Sequence, residues 1–132
     1  MAIKFPILRV ARPTDNLQSI VEMYQAGLEL DILCEFYDHE GFDGVVLGGK
    51  GSQYHLEFTH HRGTSVGKAP TFDNLIAFYI EDRNEWARKC SQAELAGFKP
   101  VVSYNPYWDL EGKTYEDLDG YRVVLQNSEW GL

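Results

Sequence analysis

Two successive stretches of this chain carry the same order of patterns: strand, helix, then three further strands. In "FPILRVAR", Leu8 and Val10 alternate with Ile7, Arg9 and Ala11, the period of a strand with one apolar and one mixed face. "PTDNLQSIVEMYQAGL" places Leu17, Ile20, Val21 and Tyr24 at i, i+3, i+4 and i+7, one stripe of a helix. Asp15 or Asn16 is placed to cap its start and Gly27 to end it. "ELDILCEFYD", "DGVVLGG" and "QYHLEFT" read as three strands, joined by "HEGFDG" and "KGS".

"HHRGTSVGKAPT" has the composition of a linker, with almost no large apolar residue. The pattern then restarts. "NLIAFYIE" is a strand, and "DRNEWARKCSQAELAG" a helix with Asp82 and Glu85 in capping-box spacing and Gly97 beyond its end. Trp86, Cys90 and Ala93 share a face of that helix. "FKPVVSYN", "GKTYED" and "YRVVLQN" supply three strands, with "DLDG" as the turn before the last. A single domain over residues 1–132 therefore divides into module one (about 4–59), a linker (about 60–72) and module two (about 73–127). Neither half can cover its own sheet face. Two half-sheets side by side would share a concave surface, with helices near 16–27 and 83–96 on the convex side.

Composition excludes some functions. A net charge of −8 argues against nucleic acid, whose phosphates recruit basic surfaces, and permits a cationic ligand. The opening "MAIKFPILRV" lacks the long apolar run of a signal peptide or a membrane span. Cys34 and Cys90 have no C-x-x-C spacing, so the expected setting is reduced and cytoplasmic.

The repeat and its motifs resemble the glyoxalase/bleomycin-resistance family of the vicinal oxygen chelate (VOC) superfamily. "LRVARPTDNL" and "NLIAFYIED" are similar to the family's opening strand and strand-to-helix turn. "YEDLDGYRVVLQ" is similar to its last hairpin, with Leu118 in place of a usual proline. The resemblance covers nearly the whole chain. It implies an α+β fold: two βαβββ modules forming a concave mixed sheet with helices outside. It implies no single function, because the fold hosts metal-dependent isomerases, dioxygenases, thiol transferases and metal-free drug-sequestering proteins.

Its metal enzymes place one ligand on the first and last strand of each half. Carried over by motif, those positions hold Arg9, Glu57, Leu75 and Val124. Only Glu57 can ligate, since a guanidinium has no free lone pair and alkyl groups have none at all. "YHLEFTHH" holds three of the four histidines, but period two aligns only His55 with Glu57. His60 and His61 are expected past the strand, in the linker. Two ligands are too few for a tight zinc or iron site, so no metal and no cofactor are expected.

Arg9 would then fill the electrostatic role of the metal, paired with a buried Glu57. The plainer reading is an ion pair without function. "SYNPYWDLEGKTYED" gathers Tyr104, Asn105, Tyr107, Trp108 and Tyr115, amphipathic rings suited to a cavity wall or, equally, to core or a dimer seam. Pro106 should keep Asn105 extended. Tyr79 shares a strand face with Leu75 and Ala77. The candidate ligand-binding residues are Arg9, His55, Glu57, Tyr79, Asn105, Tyr107 and Trp108. "GGKGS" lacks P-loop spacing, and no Ser shows nucleophile-elbow spacing.

Two functions follow. One is a metal-free protein, a homodimer, that binds or sequesters a small organic molecule in the concave cavity, as antibiotic-resistance relatives do. The alternative is a VOC-type enzyme (glyoxalase-like lyase or isomerase, dioxygenase or thiol transferase) with Glu57 as the catalytic group.

Overall fold

The computed structural model describes residues 4–130. Module one runs β1 (Leu8–Pro13), α1 (Leu17–Gly27), β2 (Asp31–His39), β3 (Phe42–Gly48) and β4 (Tyr54–His61). Module two runs β5 (Leu75–Tyr79), α2 (Arg83–Leu95), β6 (Lys99–Val101), the single turn α3 (Tyr107–Leu110), β7 (Gly112–Glu116) and β8 (Arg122–Gln126). Each module forms a four-stranded mixed sheet, ordered β1-β4-β3-β2 and β5-β8-β7-β6. The first strand of each lies parallel to the last, and the remaining pairs are antiparallel. The predicted repeat is present, as two separate sheets of identical order.

The helices form where the apolar stripes require them. α1 buries Ile20, Val21 and Tyr24, and the shared core holds Val45, Leu47, Leu56 and Phe58 with them. Tyr24 packs on Phe58 at 4.8 Å and on Phe98 of module two at 5.2 Å, so the core crosses between modules. α2 buries Cys90 and Ala93, while the Trp86 indole N–H donates to the Leu125 carbonyl at 2.8 Å. Asp82 caps α2 by accepting from the Glu85 N–H at 2.8 Å, and Gly97 follows its end with φ +100°.

Three local expectations are corrected. Neither Asp15 nor Asn16 caps α1 with its side chain. The Asn16 N–H donates to Thr14 Oγ1 at 2.9 Å, and its side-chain amide donates to Asp119 at 3.0 Å, because the "DLDG" hairpin of module two reaches this end. The expected strand "FKPVVSYN" keeps only Lys99–Val101. Beyond it Ser103 donates to the Asn105 carbonyl at 2.7 Å, and the chain turns into α3. β4 runs on through His60 and His61, which are therefore strand rather than linker. They pair with Asp43 and Phe42 of β3, and the His61 ring stacks on Phe42 at 4.3 Å.

Candidate functional site

Period two and the parallel register put Arg9 opposite His55 and Ala11 opposite Glu57 on one face of module one. Arg9 Nη1 stands 3.8 Å from Glu57 Oε1. The pair is not buried as expected: the Arg9 side chain is 48% exposed and that of Glu57 14%. β1 lies at the sheet edge, so its guanidinium extends toward solvent. His55 leans over Gly48, where a Cβ would come 3.4 Å from its ring and 3.0 Å from Leu33.

The other histidines of "YHLEFTHH" do not join His55. His61 stacks on Phe42, and His60 Nδ1 lies 3.2 Å from the Thr14 carbonyl, off the opposite face. Among the described residues no three His, Cys, Asp or Glu side chains are grouped to hold a metal. The four positions of the metal enzymes offer one carboxylate, one guanidinium and two alkyl groups, a donor set that does not fit a metal ion.

In module two, Leu75, Ala77 and Tyr79 lie opposite Arg122, Val124 and Gln126. The Tyr79 ring meets Trp130 edge-on at 5.7 Å. Desolvation, and then Tyr107 beside it, push the Tyr79 hydroxyl above its ordinary range. Tyr107 in turn meets Trp108 edge-on at 5.0 Å. Asn105 is committed to the α3 turn, where its Oδ1 accepts from the Tyr107 N–H at 3.0 Å. Tyr115 belongs to the core instead, with its hydroxyl donating to Glu94 at 2.7 Å. On the face of Val124, buried Thr114 Oγ1 and Gln126 Oε1 have no hydrogen-bond partner among the described residues. Buried polar atoms are nearly always paired, so these two call for a partner such as a bound water.

The candidates of the two halves line separate cavities among the described residues. His55 lines an open groove at one end of the first sheet, Glu57 and Leu75 share a cavity of about 310 Å³ at the joint between modules, and Tyr79 lines a third.

At that joint lies a charged cluster that sequence reasoning missed. Arg12 donates to Asp117 at 2.8 Å and to Asp119 at 2.9 Å, and its guanidinium lies 4.1 Å from the Tyr121 ring centre. Asp117 also accepts from the Tyr24 hydroxyl at 2.6 Å, and Asp119 from the Thr14 hydroxyl at 2.6 Å. Burial pushes the Asp117 carboxyl up, against Tyr24 and Arg12. At Asp119 burial also acts upward, but bonds from Thr14, Arg12 and Asn16 outweigh it and hold the carboxyl low. One signal was available: Arg12 falls in register with Leu8 and Val10, on the apolar face of β1, where an arginine requires partners.

Paired βαβββ modules of this order define the glyoxalase/bleomycin-resistance fold of the VOC superfamily. Models of the YycE-like N-terminal and C-terminal domains match residues 8–59 and 73–127, and the chain belongs to this YycE-like family. It is 43% identical over 122 residues to the uncharacterised protein YycE of Bacillus subtilis (strain 168), covering 92% of this chain and 88% of that one. The crystal structure of a YycE protein of unknown function from Bacillus subtilis, a candidate glyoxalase/fosfomycin-resistance protein, superposes with a TM-score of 0.85 at 43% identity, over 94% of this chain and 90% of that one. Two more distant structures share the fold. Trypanothione-dependent glyoxalase I of Leishmania major has a TM-score of 0.71 at 20% identity, over 95% of this chain and 88% of that one. Fosfomycin resistance protein FosX of Mesorhizobium loti has 0.70 at 10%, over 98% and 95%.

Proposed function

We propose that this protein binds a small organic molecule between the concave faces of its modules, with no metal held by its own side chains. One observation carries the reading: where the resemblance places the ligands of the fold's metal enzymes, this chain has a guanidinium 3.8 Å from its one carboxylate in module one and two alkyl groups in module two. A guanidinium cannot ligate, but it offers fixed donors to a ligand oxygen. Tyr79, Tyr107 and Trp108 supply flat apolar surface with polar tips. These two groups do not meet inside one chain. The cavity is therefore formed by module one of one subunit and module two of another in a homodimer. The free thiols of Cys34 and Cys90 suit a reducing, cytoplasmic setting.

Elemental analysis of protein purified without chelators is expected to find no stoichiometric zinc, nickel, iron or manganese. Native mass spectrometry of the same sample is expected to retain an organic ligand. A metal at full occupancy, lost in Glu57→Gln, would overturn the reading and leave a VOC-type enzyme using Glu57.

A further inference from the structure

One end of the first sheet carries an open groove of about 510 Å³. It is lined by Lys4, Phe5, Ile7, Leu33, the β3–β4 turn Gly49–Gln53 and His55. From its chemistry we infer that this groove receives the anionic head of an organic acid, an inference that rests on the binding reading above and names its ligand class.

Local charge is opposite to global charge here. The chain carries −8, yet no Asp or Glu lines the groove, and Lys4, Lys50 and His55 all do. Among the described residues neither lysine takes part in an ion pair. Arg9, opposite His55 on the adjacent strand, adds a third fixed cation at the margin and is opposed only by Glu57 at 3.8 Å. In a protein of this composition, two lysines without ion pairs around one concavity select an anion by complementarity.

The turn "GGKGS" gives the groove an accessible backbone. A Cβ at Gly51 would meet nothing within 4 Å, and one at Gly49 only Ser52 at 3.8 Å, so a head group can approach the main chain there. Gly51 has φ +83°, a conformation that glycine adopts without strain. Apolar side chains line the groove as well: Phe5, Ile7 and Leu33, all exposed. Cations, an accessible turn and hydrocarbon lining one groove match a carboxylate, phosphate or phosphonate on an apolar body. The volume suits a molecule of drug size.

The test uses the full chain and two aromatic probes of opposite charge, phenylphosphonate and benzyltrimethylammonium, followed by ¹⁵N–¹H NMR. Phenylphosphonate is expected to shift the amides of Lys50, Gly51, Gln53 and His55, while benzyltrimethylammonium leaves them in place. Lys50→Ala and Lys4→Ala should each weaken phenylphosphonate about fivefold, the scale of one partly solvated charge contact, and Lys99→Ala on β6 should not. Added salt should weaken binding as well. If benzyltrimethylammonium shifts these amides as strongly, or phenylphosphonate shifts only Tyr79 and Tyr107, the anion site is overturned while concave-face binding stands. If neither probe shifts either face, both are overturned.

Discussion

Arg9 and Arg12 stand three residues apart on β1 and meet opposite environments. The Arg9 side chain is half exposed and its carboxylate is 3.8 Å away. Arg12 is 16% exposed and bridges two carboxylates, Asp117 and Asp119, that are 0% and 3% exposed. Exposed pairs contribute little, because water screens them and ordering long side chains costs entropy. Removing one partner from a buried set strands the others without compensation. Arg12→Leu should therefore cost about 3–5 kcal/mol, and Arg9→Leu about 1 kcal/mol or less. Urea denaturation of both variants checks the order, and comparable losses would show that the joint cluster does not hold the modules.

At the scale of elements, Asp15 ties the linker to the start of α1. Its carboxylate accepts from the Val66 N–H at 2.9 Å, the Gly67 N–H at 2.8 Å and the Ser65 hydroxyl at 3.1 Å. The two backbone bonds are the main cause that holds the Asp15 carboxyl below its ordinary range. A lowered carboxylate stabilises its contacts above the unfolded pKa and loses them as pH falls through the folded one. The tether should thus persist from neutral pH down through about 4 and release below that. Hydrogen exchange at Val66 and Gly67 reads this directly. Relative to the intrinsic exchange rate, which itself slows with acid, these amides should lose protection on acidification in the wild type, and in Asp15→Ala they should lack it already at neutral pH. Exchange at those two amides that ignores both changes would mean the linker is held by other contacts.

At the scale of the whole molecule, β1 leaves Leu8 and Val10 at 60 and 48% exposure, outside the groove that Phe5 and Ile7 line. Module two adds Val102, Tyr104, Tyr107 and Trp130, all exposed. These exposed apolar side chains are available to an interface between two copies. The proposed homodimer would cover them and bring Arg9 and Glu57 of one subunit to Tyr79 and Tyr107 of the other. Light scattering at micromolar concentration should report the mass of two chains. Leu8→Lys, at an exposed position that no core contact requires, should shift the mass toward one chain and weaken ligand binding in parallel. A wild type that scatters as a single chain would sink the shared cavity.

What the sequence by itself determined was local and periodic. The stripe Ile20–Val21–Tyr24 made α1, Cys90 and Ala93 turned α2 inward, and alternation in "QYHLEFT" put His55 beside Glu57 on one strand face. Repetition of these patterns carried the fold, because each module forms its elements from neighbouring residues. Tertiary structure alone decided which polar residues are used. Arg12 finds its carboxylates 105 and 107 residues along the chain, and no local period encodes that distance. β4 gained His60 and His61 because Phe42 and Asp43 of β3 stand opposite, although their composition reads as linker. Tyr115 went into the core and Tyr107 to the surface, two tyrosines of one segment separated by the α3 turn. Backbone periodicity reports which face a residue occupies. Only packing between modules determines what that face meets, and therefore which charges are compensated and which remain open to a ligand.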